Sequence, residues 1–311
     1  MKQEILYELE TPYRQPFCLE GFRFGEGEHA CAIVGGIRGN EIQQMYVCAR
    51  LVKALTAMEK QGMILPGHEI LVIPCVNRYS MNVGKRFWTM DNTDINRMFP
   101  GYMQGETTQR IAGALFDAVK GYRYGMHFAS FYLPGDFVPH VRIMDTGYQT
   151  SSLGNLFGLP YVVMRTPKPI DTTTLNYNWQ IWESNAFSIY TRETAHIDEE
   201  SAAQAVSAVL RYLSRVGVVK YTCHSGYLST VINENDLATV LTPAGGIFRA
   251  LRVPGQEVEY GDTIGEILDP FTAEMVAPVT ATTSGLVFFA IDKPLVLEHE
   301  VAFKLIRRLH A

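Results

Sequence analysis

Three short stretches of this chain gather residues able to do chemistry where strands should end. The first, Gly35-Gly36-Ile37-Arg38-Gly39-Asn40-Glu41, closes an apolar run and leads into a helical pattern. The second follows another apolar run and passes through Asn77-Arg78 and Lys85-Arg86 to Asp94-Ile95-Asn96-Arg97-Met98-Phe99-Pro100-Gly101. The third is Gly125-Met126-His127. In a doubly wound sheet, ligands bind beyond the carboxyl ends of the strands, so the three stretches would share one edge. An arginine fork matches a carboxylate bidentately, and a neighbouring amide can donate to the same group. Arg86, Asn96 and Arg97 therefore suit recognition of a small acid. The competing reading is that Asn96 and Arg97 only tie a long loop to the sheet. Arg165 and Tyr190 are further candidates for the same pocket.

The elements that would position these residues follow from periodicity. Short apolar runs at 29–37, 69–76, 159–166 and 186–191 read as strands. Helical spacing predicts helices over 41–60, 106–120 and 198–214, the first capped by Asn40, with Ile42, Met45, Cys48, Val52 and Leu55 on one face. Strands alternating with amphipathic helices imply an α/β domain with a mostly parallel sheet covered by helices. From 240 to 308 the grammar changes to turn-separated alternating runs, which predicts a small all-β domain, a barrel or sandwich. The expected division is 1–225 and 226–311, with the β-domain near the pocket mouth.

Composition bounds the function. The chain has 311 residues, 47% of them hydrophobic, enough for about two domains with large cores. Its net charge of −5, with no basic run, argues against a nucleic-acid partner. No apolar stretch approaches the roughly 18 residues of a membrane span, and the first ten residues do not read as a leader. Five scattered cysteines without C-x-x-C spacing suit a reducing cytoplasm and argue against a disulfide framework. Homo-oligomerisation is left open.

The three chemical stretches resemble the succinylglutamate desuccinylase/aspartoacylase family, a branch of the zinc carboxypeptidase-like fold. The family writes them as G-G-x-H-G-x-E, as R followed by D-x-N-R-x-F-P-G, and as D-x-H; here N-R-x-F-P-G stands in full at 96–101. The β-domain is also similar, in G-I-F at 246–248, V-x-x-G-D at 258–262 and A-P at 277–278. The resemblance implies zinc ligands at Glu41 and His127, and substrate polarisation and carboxylate binding by Arg86, Asn96 and Arg97. It also exposes departures. Arg38 stands where the first zinc ligand, a histidine, belongs. Gly125 replaces the aspartate two residues before the ligand histidine. Tyr190 falls where the catalytic glutamate should be, with Glu193 close by as a stand-in.

Arg38 cannot ligate zinc, because a guanidinium has no available lone pair and stays protonated. A catalytic zinc usually takes three protein ligands and a water, and only Glu41 and His127 remain. Arg38 is instead expected to fill the vacated position and pair with Glu41. His29 and His68 begin strands at the wrong end, and His140 and His196 are placed in loops. Arg38 and Tyr190 are assigned to substrate contact, Arg86 and Glu193 to catalysis. The implied function is a zinc-dependent deacylase cleaving an N-acyl amide of a small carboxylate-bearing substrate, with zinc occupancy in doubt. The alternative is a metal-poor, catalytically degenerate member that binds a small carboxylate or peptide terminus. A third reading gives the β-domain a protein-interaction role. Ile291-Asp292-Lys293-Pro294 faintly resembles a lipoyl-attachment hairpin, though a solvated turn lysine is the simpler account.

Overall fold

Cys31, Ala32, Ile33 and Val34 are all fully buried, so their strand has no solvent face and must lie inside a sheet covered on both sides. The computed structural model describes residues 1–12 and 15–308 and shows that sheet. Its strands are β1 (Lys2–Leu9), β2 (Phe17–Gly25), β3 (Gly27–Val34), β4 (Gly67–Ile73), β5 (Tyr124–Phe128), β7 (His140–Met144), β8 (Tyr161–Arg165), β9 (Asn185–Tyr190) and β10 (Thr230–Asn233), while β6 (Gly135–Phe137) belongs elsewhere. The spatial order is β1-β2-β4-β3-β5-β9-β7-β8-β10.

Pairs β3–β4, β3–β5, β5–β9 and β7–β8 are parallel. Pairs β1–β2, β2–β4 and β7–β9 are antiparallel. The sheet is therefore mixed, parallel at its centre. The expectation of a mostly parallel sheet missed β1, β2 and β7. The first of these is a half-exposed edge strand whose polar and apolar residues mix, which conceals it in the sequence.

Helices α1 (Ile42–Lys60) and α5 (Glu199–Arg215) cover one face, packing Val47, Leu51, Leu55, Ala205 and Val209 against Cys31, Ile33 and Met126. On the other face α3 (Thr107–Val119) and α4 (Leu175–Ile181) pack Ile111, Leu115 and Trp179 against Ala32, Val34 and Ala186; the short α2 is Arg78–Asn82. Helix α1 is rotated from its expected face: Gln43 and Gln44 are buried and Met45 is not. The reason is polar. The Gln43 amide donates to Asp198 O at 2.9 Å and accepts from Asp198 N at 3.1 Å, tying α1 to the start of α5. Asp198 in turn caps α5 by accepting from Ser201 N at 3.1 Å.

The chain divides into two compact units, Met1–Ser130 with Pro139–Val231, and Phe131–Val138 with the residues from Ile232 onward. Against a single boundary near 225, the second unit thus also takes an eight-residue piece from mid-chain, because β6 pairs antiparallel with a strand of that unit. The second unit holds β11 (Ala238–Leu241), β12 (Gly246–Ala250), β13 (Glu257–Val258), β14 (Thr263–Leu268), β15 (Met275–Thr280), β16 (Gly285–Ile291), β17 (Leu295–Val296) and β18 (Val301–Arg307). They form two sheets, β11-β18-β16-β13 with β6 beside β16, and β15-β14-β12-β17. Among the described residues of this unit there is no α-helix. Lys293 pairs with Glu300 at 2.7 Å rather than standing free at a hairpin tip.

Candidate functional site

The Gly35-Gly36 crossing turns the chain sharply out of β3. Gly36 has φ +55, a left-handed conformation costly for other residues, and its carbonyl accepts from Asn77 N at 2.8 Å. This joins the ends of β3 and β4 and aims Arg38 back over the sheet edge. Arg38 is 5% exposed. Its Nε donates to both Asp94 oxygens at 3.1 Å, and Nη2 donates to Asp94 Oδ2 at 2.8 Å. Nη1 reaches Glu41 Oε1 at 3.4 Å and the Ser130 hydroxyl at 3.3 Å. The Ser130 hydroxyl donates to the same Glu41 oxygen at 2.6 Å, and the Arg38 backbone N–H donates to Glu41 Oε2 at 3.0 Å. Both carboxylate oxygens of Glu41 are thus engaged. Burial works to lower the Arg38 pKa, but Asp94 and Glu41 reverse the effect and hold it above its ordinary value.

His127, on β5, is 1% exposed and its Nε2 has no hydrogen-bond partner. Burial first, then the charge of Arg38, depress its pKa to about 3, so the imidazole is neutral. Arg86 has its pKa lowered by burial and then by Arg38. Tyr190 ends β9, opposite His140 in the antiparallel β7–β9 pair, and the two rings stack at 4.7 Å and 4°. Arg142 donates to the Tyr190 hydroxyl at 3.0 Å and lies 4.4 Å from its ring centroid.

Arg38, Glu41, His127, Arg86 and Tyr190 therefore gather at the carboxyl edge, as Arg38 acts electrostatically on His127 and Arg86 and is acted on by Glu41 and Tyr190. Asn96 and Arg97 are occupied differently. Asn96 is buried and its side-chain oxygen accepts from Leu175 N at 3.3 Å. Arg97 donates to Ile170 O at 2.6 Å and sits 3.7 Å from Asp171, holding the 3-10 turn Pro169–Thr173. Glu193 faces His196 at 3.9 Å, on the loop beyond β9. Asp94, Ser130 and Arg142 are not among the residues the sequence singles out, and His140 is weighed there only as a loop histidine. Asp94 lies within the D-x-N-R run and was legible in principle; Ser130 and Arg142 carry no local signal, and His140 opens a strand rather than lying in a loop.

Asp171 takes Arg165 at 2.9 Å and the Lys168 backbone N–H at 3.0 Å besides Arg97. Asp171→Ala leaves two partly buried guanidinia without that carboxylate, so a loss of about 2–4 kcal/mol is expected. Urea unfolding checks it, and an unchanged midpoint would remove this cluster from the account.

Among the described residues, no three His, Cys, Asp or Glu side chains converge as a metal-binding group. Glu41 and His127 supply two donors, and the third place is taken by a guanidinium with no lone pair. These residues do not fit a three-ligand zinc.

A helix-covered mixed sheet with buried arginines, a carboxylate and a neutral imidazole at its carboxyl edge defines an α/β protein with a polar, charged cluster at that edge. The model of the succinylglutamate desuccinylase/aspartoacylase catalytic domain matches residues 28–216, and the chain belongs to that family. An N-alpha-acetyl-L-2,4-diaminobutyric acid deacetylase of Halomonas elongata is 32% identical over 88 residues, a match spanning 28% of this chain and 24% of the relative. The fold is similar to that of a succinylglutamate desuccinylase/aspartoacylase from Rhodobacter sphaeroides, with a TM-score of 0.81, 17% identity and coverage of 99% and 96% of the two chains. It is also similar to a product-bound ectoine utilization protein EutE from Ruegeria pomeroyi, at TM-score 0.78, 18% identity and coverage of 94% and 89%. An aspartoacylase family protein from Mesorhizobium loti gives 0.77, 22% identity, and 96% and 91%.

Proposed function

We propose that this chain binds a small N-acylated, carboxylate-bearing compound at the carboxyl edge of its first sheet. The observation that carries the reading is the set of three arginines there, buried Arg38 and Arg142 and the neighbouring Arg86, which outnumber the carboxylates Glu41 and Asp94 beside the neutral imidazole of His127. A desolvated guanidinium favours a carboxylate or a polarised carbonyl. Membership of a family named for two acyl-amino-acid activities supports the same substrate class.

Hydrolysis of the amide is a second reading, favoured by the deacetylase relative. It requires an activated water. The residue at the expected position of the catalytic glutamate is Tyr190, held by Arg142, and Glu193 turns towards His196. Arg86 would then steady the developing oxyanion.

Calorimetric titration with a panel of N-acetyl and N-succinyl amino acids, run beside an amine-release assay, separates the two readings. Binding of at least one compound is expected. Arg86→Ala should weaken it about 10- to 100-fold, the usual loss when one charged hydrogen-bonding partner is truncated. No binding by any compound would end the reading; steady amine release would establish the hydrolase.

A further inference from the structure

Arg38 sits at the sequence position of a metal ligand, yet it behaves as the ion rather than as the ligand. We infer that its guanidinium is the resident cation of this site, taking the place of a transition metal, so that the pocket forms and holds its carboxylates without one. The inference deepens the small-acid reading but is tested independently of it.

Three observations from separate elements agree. First, both oxygens of Glu41 are already engaged. Oε2 accepts from the Arg38 backbone N–H, and Oε1 accepts from Ser130 at 2.6 Å with Arg38 Nη1 at 3.4 Å. A zinc would need that carboxylate at about 2.0–2.2 Å and would compete with those bonds. Second, charge is already balanced nearby. Arg38 faces two carboxylates, Asp94 at 2.8 Å and Glu41 at 3.4 Å, and Arg86 feels all three groups. Arg38 and Arg86 already match these two carboxylates, and Arg142, on the Tyr190 hydroxyl, adds a third guanidinium. Adding a divalent ion would leave an uncompensated double charge in a buried space unless Arg38 were expelled.

Third, the outer support for a ligand histidine has no room. A metal-bound imidazole normally rests its other nitrogen on a carboxylate or carbonyl. Position 125, two residues before His127, is glycine, and a Cβ built there would lie 2.5 Å from the Trp179 ring. Trp179 is itself fully buried and fixed by Nε1 donating to Val119 O at 3.2 Å. The loss of the ligand, the capture of Glu41 and the filling of the outer shell thus lie on β3's exit, α1's start and α4.

The test uses the full chain. Metal content is measured on freshly purified wild type, and its melting temperature is taken with and without chelator. Zinc chloride is then titrated into chelated wild type and Arg38→His by calorimetry. Expected are far less than one equivalent of zinc on wild type, a melting temperature indifferent to chelator, and binding by Arg38→His at least about 10- to 100-fold tighter, the scale on which support around a metal ligand acts. Stoichiometric zinc on wild type, or a melting temperature that falls on chelation, overturns the inference. So does a folded Arg38→His with no gain in affinity. If that variant does not fold, the wild-type measurements decide. A failure to bind N-acyl amino acids would leave these results untouched, so the two readings fail separately.

Discussion

Arg38→Met will destabilise the protein by about 3–5 kcal/mol, the cost of removing one partner from a buried charge cluster. The size follows from what is left behind. Glu41 is fully buried and Asp94 partly so, and both would lose the guanidinium that now bridges them. The methionine fills much of the same volume, so a cavity does not confuse the result. For a chain of this length the drop corresponds to a melting temperature lower by on the order of 10 °C. Arg38→Lys should lose less, because it keeps the charge. It cannot, however, fork to both Asp94 oxygens while Nη1 reaches Glu41. The cycle closes with Arg38→Met/Asp94→Asn, which should recover part of the loss because one orphaned charge is gone. Thermal and urea unfolding of wild type, Arg38→Met, Asp94→Asn and the double variant measure the cycle, with Arg38→Lys beside them. Equal stability of wild type and Arg38→Met would show that the cluster is not held by this cation.

The part of this arrangement written in the sequence is the part written locally. Apolar runs and helical spacing placed β3, β4, α1, α3 and α5 within a few residues, because each buries a periodic face. The three chemical stretches fell at strand ends for the same reason. What could not be seen is pairing across the chain. Asp94 meets Arg38 from 56 residues away, and Ser130 from 92, through no shared motif. Asn96 and Arg97 carry a recognisable motif, and across the chain Asn96 Oδ1 also meets Leu175 while Arg97 Nη1 meets Ile170 and Asp171. His140 was hidden because a strand of five residues flanked by Pro139 leaves little pattern, and only the sheet shows it stacked on Tyr190.

The second large effect is expected at Gly125, where the sequence departs from D-x-H. Gly125→Asp looks like a repair, since a carboxylate there would stand two residues before His127. It will instead destabilise the fold. A Cβ at 125 lies within 2.5–2.8 Å of three Trp179 ring atoms, inside contact distance, and the ring is pinned at its nitrogen and closed in by the core. Gly125→Ala alone should cost about 1–3 kcal/mol through overpacking. The aspartate adds the desolvation of a charge with no counterion placed for it, so a further loss of at least about 2 kcal/mol is expected. Trp179→Ala removes the obstacle but opens a cavity, itself worth about 3–5 kcal/mol. The informative quantity is therefore the coupling. Gly125→Asp should be less damaging in the Trp179→Ala background than in wild type, by about 1–3 kcal/mol in a double-mutant cycle read by urea unfolding. A Gly125→Ala protein as stable as wild type would show that Trp179 yields freely. If the coupling appears, glycine at 125 and tryptophan at 179 are one structural choice. Restoring the D-x-H carboxylate behind His127 would then need Gly125 and Trp179 to change together, apart from any gain from Arg38→His.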